Sequence, residues 1–367
     1  TVRVWNLLTG QTTAVLTGHT DWVRAVATTD LHGQPVALTR SEDQTVRVWG
    51  LASGDSVGTF LNGHVGVVWK VAVGDLAGTP VAVTGGVDRV VHLWDVAAGS
   101  PLGPGRELMK HEDAVTAVAT AVVKGRTVAV TGCLDRTVRV WDIATGRSTV
   151  ELRGHTECVT AVATAIVGRR PVAVTGSVDR TVRVWDLATG AAVGEPLVGH
   201  RDWVGAVACT EVDGRPVAVT GSEDDAVRVW DLAEARCIAT LHGHTEGVGA
   251  VACTEVDGRP VAVTGSADHT VRVWDLAEAR CTATLHGHTG TVTAVACGLM
   301  DARPIAVTVS EDRTLRVSDL GSARSLSVLV LPDVPSCADI AADGTIVIGM
   351  GSEVVALQME SSARRHK

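Results

Sequence analysis

Seven times along the chain a histidine is followed by a threonine 20 residues on, then by an aspartate 4 residues later. Six times a tryptophan stands 6 residues beyond that aspartate. The sets are His19, Thr39, Asp43, Trp49; His64, Thr84, Asp88, Trp94; His111, Thr131, Asp135, Trp141; His155, Thr175, Asp179, Trp185; His200, Thr220, Asp224, Trp230; His244, Thr264, Asp268, Trp274; and His288, Thr308, Asp312, where Ser318 takes the tryptophan's place. The units recur every 44 to 47 residues, and all the variation in length falls between the tryptophan and the next histidine. Such spacing holds only if each unit folds the same way, which makes this a repeat architecture.

Each unit reads as four short strands. After His155, Val159–Thr164 is the first. Pro171–Thr175 follows a turn holding Gly168. Thr181–Asp186 alternates Val182 and Val184 with Arg183 and Trp185, and Ala192–Leu197 is the fourth. Val, Thr and Trp favour extended backbone, and the turns carry Gly, Asp and Pro. No 3.6-residue period spans a repeat, which excludes a helical solenoid. Four strands in such a length make a propeller blade.

These residues resemble the WD-repeat β-propeller family across essentially the whole chain, in a form like that of bacterial, actinobacterial-like repeat arrays. The resemblance implies an all-β propeller of four-stranded blades. It also implies a structural tetrad of Asp, His, Ser/Thr and Trp in each blade, met in full by six of the sets. In such a tetrad the indole N–H donates to the threonine hydroxyl, the hydroxyl to one histidine nitrogen, and the other nitrogen to the aspartate. Read alone, His, hydroxyl and Asp suggest a catalytic triad. But the set occurs once per blade and its hydroxyl is committed to the tryptophan, so no catalytic residue is assigned. Seven dispersed histidines do not converge on a metal, and no cofactor is expected.

One propeller domain over 1–367 is expected, with eight blades at 19–63, 64–110, 111–154, 155–199, 200–243, 244–287 and 288–331, and a closing blade from 332–360 plus 7–18. That blade joins Cys337–Ala341, Thr345–Met350 and Val354–Met359, with a turn at Asp343-Gly344, to the N-terminal Thr12–Leu16. Thr1–Asn6 is left redundant, and 361–367 is expected to be a disordered tail. The alternative is seven blades with an extra partial blade.

The units at His200 and His244 differ at only seven positions: Arg201/Thr245, Asp202/Glu246, Trp203/Gly247, Glu223/Ala267, Asp225/His269, Ala226/Thr270 and Ile238/Thr282. Six lie in the loop after Gly-His or the turn around the tetrad Asp, which share one rim. The opposite turns, such as Val212-Asp213-Gly214-Arg215-Pro216, are identical. That rim is the expected partner-binding face. It carries Trp22 and Trp203, with Asp21, Glu42, Asp113, Glu157, Asp202, Glu223, Glu246 and Glu311, partly offset by Arg89, Arg136, Arg180, Arg201 and Arg313. Exposed tryptophans are interface anchors, and the expected partner is a protein or peptide presenting basic and apolar groups.

A net charge of −9 argues against general affinity for nucleic acid or anionic membrane, and no apolar run reaches the length of a membrane span. No two of the eight cysteines have Cys-x-x-Cys spacing. Cys209, Cys253 and Cys297 recur 44 residues apart, as do Cys237 and Cys281, so they read as copies of one buried position in a reducing cytoplasm. Only four lysines stand against many arginines (Lys70, Lys110, Lys124 and Lys367), which suggests a GC-rich bacterial gene. The chain opens inside a strand without Met, and is expected to be the C-terminal part of a larger multidomain bacterial signalling or regulatory protein. Non-catalytic interaction scaffold or sensor module is the expected function. The alternatives are a propeller enzyme or small-ligand binder using the central channel, for which Trp69, Lys70 and His92 are the non-repeated candidates, and a structural spacer.

Overall fold

The computed structural model describes residues 2–6, 11–16, 18–51, 61–62, 64–98, 100–102, 110–300, 302–341, 345–350 and 353–358. Every described element is a β-strand, and the strands form eight sheets. Seven of these are the repeat units. In the unit at His200, Val204–Val212, Arg215–Ser222, Val227–Asp231 and Arg236–Leu241 run antiparallel in chain order. The first strands of successive sheets lie side by side in a closed cycle: Val23–Leu31, Val68–Leu76, Val115–Val123, Val159–Val167, Val204–Val212, Val248–Val256, Val292–Met300, Pro335–Ile340, and back to Val23–Leu31. We number the seven repeat blades from His19 onward and call the eighth the closing sheet.

The count falls between the two expectations. Seven blades carry the repeat, as the alternative has it, but the remaining strands are not left outside the ring. They form one five-stranded sheet from both ends of the chain. Val2–Asn6 is not redundant, which corrects the expectation. It inserts between Glu353–Gln358, to which it is parallel, and Gln11–Leu16, to which it is antiparallel. Each end thus covers an edge that the other would leave unpaired. The turn expected at Asp343-Gly344 and the tail 361–367 lie outside the described residues.

First and second strands run further than the sequence suggested, because they continue into tight two-residue turns. In blade 5 Asp213 and Gly214 have φ of 51° and 72°, and in blade 6 Asp257 and Gly258 have 51° and 73°. Positive φ at both central residues is the type I′ hairpin turn, which calls for glycine at its second position. The fourth strand expected at Ala192–Leu197 is reduced to bridges at Ala192 and Leu197, leaving blade 4 with a three-stranded sheet. Gly194, at φ 74°, and Pro196, which has no N–H to donate, interrupt that segment.

The core lies between sheets, not within them. Val172, Val174, Val182 and Val184 of blade 4 pack against Val204, Ala218, Trp230 and Leu232 of blade 5, and the arrangement recurs around the ring. The seam of the ring is built likewise, with Ala341 and Val347 of the closing sheet against Val23, Ala37 and Trp49. Polar bonds add to it. Thr28 donates its N–H and hydroxyl to Asp339 Oδ2, and Ser336 donates to the Val23 carbonyl.

Candidate functional site

Each repeat blade holds its histidine loop by one polar chain. The histidine precedes the first strand, the threonine sits in the second, the aspartate in the following turn and the tryptophan in the third. His Nδ1 lies 2.7–3.2 Å from the aspartate in all seven blades. His Nε2 lies 2.7–2.9 Å from the threonine hydroxyl. In six blades the indole N–H reaches that hydroxyl at 2.7–3.0 Å, and in blade 7 Ser318 replaces the indole. An ionised carboxylate only accepts, so Nδ1 carries the proton, Nε2 accepts from the threonine, and the threonine oxygen accepts from the indole.

Charge agrees with this order. Burial alone would raise the aspartate pKa. The histidine's hydrogen bond and that of a nearby threonine outweigh it, holding Asp43, Asp135 and Asp179 well below the carboxylate range and Asp268 and Asp312 at about 2. Burial pushes His19, His200, His244 and His288 down against the pull of their aspartates, so these rings are neutral at pH 7. Six of the seven threonines have no exposed surface. A hydroxyl sealed from solvent and already accepting an indole N–H cannot attack a substrate.

Two further members of the network recur at fixed spacing and escaped the sequence reading. Two residues before the aspartate, Ser41, Ser177, Ser222, Ser266 and Ser310 accept its backbone N–H and donate to a carbonyl of the histidine loop, and Cys133 does the same through sulfur. Two residues after it, Thr45, Thr137, Thr181, Thr270 and Thr314 donate to its second oxygen at 2.6–2.7 Å. Val90 and Ala226 lack that hydroxyl.

Two groups of side chains have metal-ligand character, His64 with Asp88 and His92, and His111 with Cys133 and Asp135. Both nitrogens of His64 and of His111 are already engaged in the polar chain. A metal there would have to break the framework. His92 stacks on Trp94, and burial pushes its pKa down to about 4. Cys209 and Cys253 are half-buried, with thiols that desolvation raises to about 12, so they are poor nucleophiles.

The loop after Gly-His and the turn around the aspartate do share a rim. A backbone bond links them in all seven repeat blades, as from Glu42 N–H to the Trp22 carbonyl and from Glu223 N–H to that of Trp203. Asp21, Trp22, Arg89, Asp113, Glu157, Arg201, Asp202, Trp203, Glu223, Glu246 and Glu311 are all exposed there, and Glu42 is half-buried. Trp22 is 39% and Trp203 53% exposed. Their blades are four steps apart in the cycle of eight sheets, which puts the two tryptophans on opposite sides of the ring. Asp21 and Asp202 hold the backbone alike at both, each accepting the tryptophan's main-chain N–H at 2.8 Å. Arg24 lies over the Trp22 ring at 4.8 Å and pairs with Glu42. The residue after each tetrad aspartate is left-handed, with φ from 61° to 71°, which presents Arg89, Arg136, Arg180 and Arg313 outward on a fixed backbone.

On the opposite face, the left-handed φ of Gly214 and Gly258 accounts for the shared glycine but not for the shared aspartate, whose left-handed position is held by His32, Ala77 and Lys124 in blades 1 to 3.

The family model for the WD domain, G-beta repeat, matches residues 10–50, 103–142, 146–186, 193–231, 235–275 and 279–319, well over half of the chain. A computationally designed protein, Ika8, has a similar crystal structure, with a TM-score of 0.77 and 26% identity, covering 92% of this chain and 96% of that one. A search of curated proteins finds no match.

Proposed function

The chain belongs to the WD40 family of β-propellers, and from that premise we propose that it is a non-catalytic interaction scaffold or sensor module that takes a protein or peptide on the rim of the Gly-His loops. WD40 propellers are as a class protein-interaction scaffolds and typically not enzymes. The observation that carries the choice of face is the pair of exposed tryptophans, Trp22 and Trp203, whose main-chain N–H groups are held alike by Asp21 and Asp202. Large rigid indoles held on a fixed backbone lose little conformational entropy on binding and bury much apolar area. The acidic side chains around them favour a partner with basic and apolar groups, and the negative net charge disfavours nucleic acid. Among the described residues no helix is long and apolar enough to cross a membrane. We further place the chain in the cytoplasm, as part of a larger bacterial regulatory protein, on its unpaired cysteines, arginine-rich composition and family resemblance.

The test is site-specific photo-crosslinking in cells of the source organism. A photoreactive residue at 203 or 223 is expected to yield discrete adducts, and one at 166 or 213 on the opposite face to yield none of them. Adducts from the opposite face alone would overturn the assignment.

A further inference from the structure

Six sheets carry glycine directly after the tetrad threonine or at its equivalent: Gly85, Gly132, Gly176, Gly221, Gly265 and Gly349. A Cβ at any of them would fall 2.5–2.8 Å from a methyl of the next sheet's first valine. Blade 1 has Arg40 instead, and it is 4% exposed. Its Nε and Nη1 are buried with no hydrogen-bond partner. Among the described residues it is a guanidinium enclosed in the ring with donors unused.

A second cation lies within reach of its charge. On the first strands, the residue paired with this position is alanine in six blades, Ala25, Ala117, Ala161, Ala206, Ala250 and Ala294. In blade 2 it is Lys70 and in the closing sheet Cys337, on either side of Ala25 in the cycle of inner strands. Lys70 keeps access to water, yet it is surrounded closely enough that burial lowers its pKa, with the Arg40 charge lowering it further. Burial likewise pushes the Arg40 pKa down. An accessible ammonium so enclosed is what the wall of a channel provides. The other charged groups that Arg40 feels are Arg24 and Glu42, and the Glu42 carboxylate is held by Arg24 at 2.5–2.6 Å. Burial raises the Cys337 thiol, which leaves it neutral.

We propose that the channel wall where the closing sheet, blade 1 and blade 2 meet is a binding site for a small oxyanion of the phosphate class, with Arg40 and Lys70 as its cations. Arg40 offers unpartnered guanidinium N–H donors, and Lys70 a point charge reachable from the channel. Repeat packing does not call for either residue, since blades 3 to 6 fill the same two positions with glycine and alanine. Two enclosed like charges without a carboxylate of their own repel one another, and a bound anion removes that repulsion. The site lies inward of the rim and stands independently of any partner bound there.

The experiment is titration of the full chain with inorganic phosphate, followed by calorimetry and by 31P line broadening, with chloride at matched ionic strength as the control. Saturable binding of phosphate but not chloride is expected. Arg40→Gly and Lys70→Ala, which copy residues the other sheets carry, are each expected to weaken it about 10- to 100-fold, the loss of one charge-assisted hydrogen bond. Lys70 is accessible, so Lys70→Ala remains informative even if Arg40→Gly fails to fold. A phosphate monoester binding more tightly than free phosphate would identify the anion as the end of a larger ligand, and equal binding would identify the free ion. Absence of saturable binding in the wild type, or unchanged affinity in Lys70→Ala, overturns the proposal.

Discussion

Replacing Thr220 with valine removes one hydroxyl and leaves the shape of the side chain. Thr220 has no exposed surface, and its oxygen accepts the Trp230 indole N–H at 2.8 Å while bonding His200 Nε2 at 2.7 Å. Thr220→Val therefore orphans two buried groups at once, and each unsatisfied group costs about 1–3 kcal/mol. The same change in blade 7 is an internal control. Thr308 bonds His288 at 2.9 Å, but Ser318 stands where the tryptophan would be, so Thr308→Val orphans only one. The expected losses are about 3 kcal/mol for Thr220→Val and roughly half that for Thr308→Val. Urea unfolding followed by tryptophan fluorescence reads the difference. Amide exchange at Arg201, whose N–H bonds Asp224 at 2.7 Å, reports whether the histidine loop has come loose. Equal losses in the two variants, or losses below about 0.5 kcal/mol in both, would refute the view that the chain of bonds from indole to aspartate holds the loop.

Stability is expected to fall as pH drops below about 6.5. The lowered pKa values of His19, His200, His244 and His288 mean that the unfolded chain takes up protons there before the folded one does. The depressed tetrad aspartates extend the loss below about pH 4, and a flat profile from pH 8 to 5 would contradict the burial argument. Ala226→Thr should raise the midpoint of thermal unfolding by adding to Asp224 the hydroxyl that Thr270 gives Asp268 at 2.7 Å, a gain of about 0.5–1.5 kcal/mol that an unchanged midpoint would disprove. At the seam, Asp339→Ala should cost about 2 kcal/mol by orphaning the Thr28 N–H and hydroxyl. Burial raises the Asp339 pKa, so its contribution is greatest at low pH and fades as pH rises through that value, and Asp339→Asn should be tolerated far better at pH 7. Equal destabilisation by Ala and Asn, measured by urea unfolding, would show that the carboxylate charge itself is needed.

The repeat was legible in the sequence because the polar chain demands fixed spacings and recurs seven times. The serine before the aspartate and the threonine after it each recur in five of the seven repeat blades, and extending the same count by two residues each way would have found them. Harder to read was the closing sheet. Its pairing joins Val2–Asn6 to Glu353–Gln358 across the length of the chain, in a parallel register that no local pattern marks. The loss of the fourth strand in blade 4 was foreshadowed by Gly194 and Pro196. Arg40 was visible only as a departure from the repeated glycine. That the departure leaves an enclosed guanidinium beside Lys70 depends on which strands the ring brings together. In the Asp-Gly turns of the opposite face the positive φ angles explain the glycine, while His32, Ala77 and Lys124 show that the same backbone takes other residues beside it.

The rim can be tested with the chain's own residues. Giving blade 5 the rim of blade 6 takes six changes: Arg201→Thr, Asp202→Glu, Trp203→Gly, Glu223→Ala, Asp225→His and Ala226→Thr. The backbone already accommodates them, since Asp225 and His269 share a φ of 66° and 65°. Binding of the partner captured by crosslinking at 203 or 223 is to be measured by calorimetry with the six-fold variant and the wild type. The account predicts that the variant folds with stability within about 1 kcal/mol of the wild type and binds that partner at least about tenfold more weakly. Undiminished affinity in a variant so folded would contradict it.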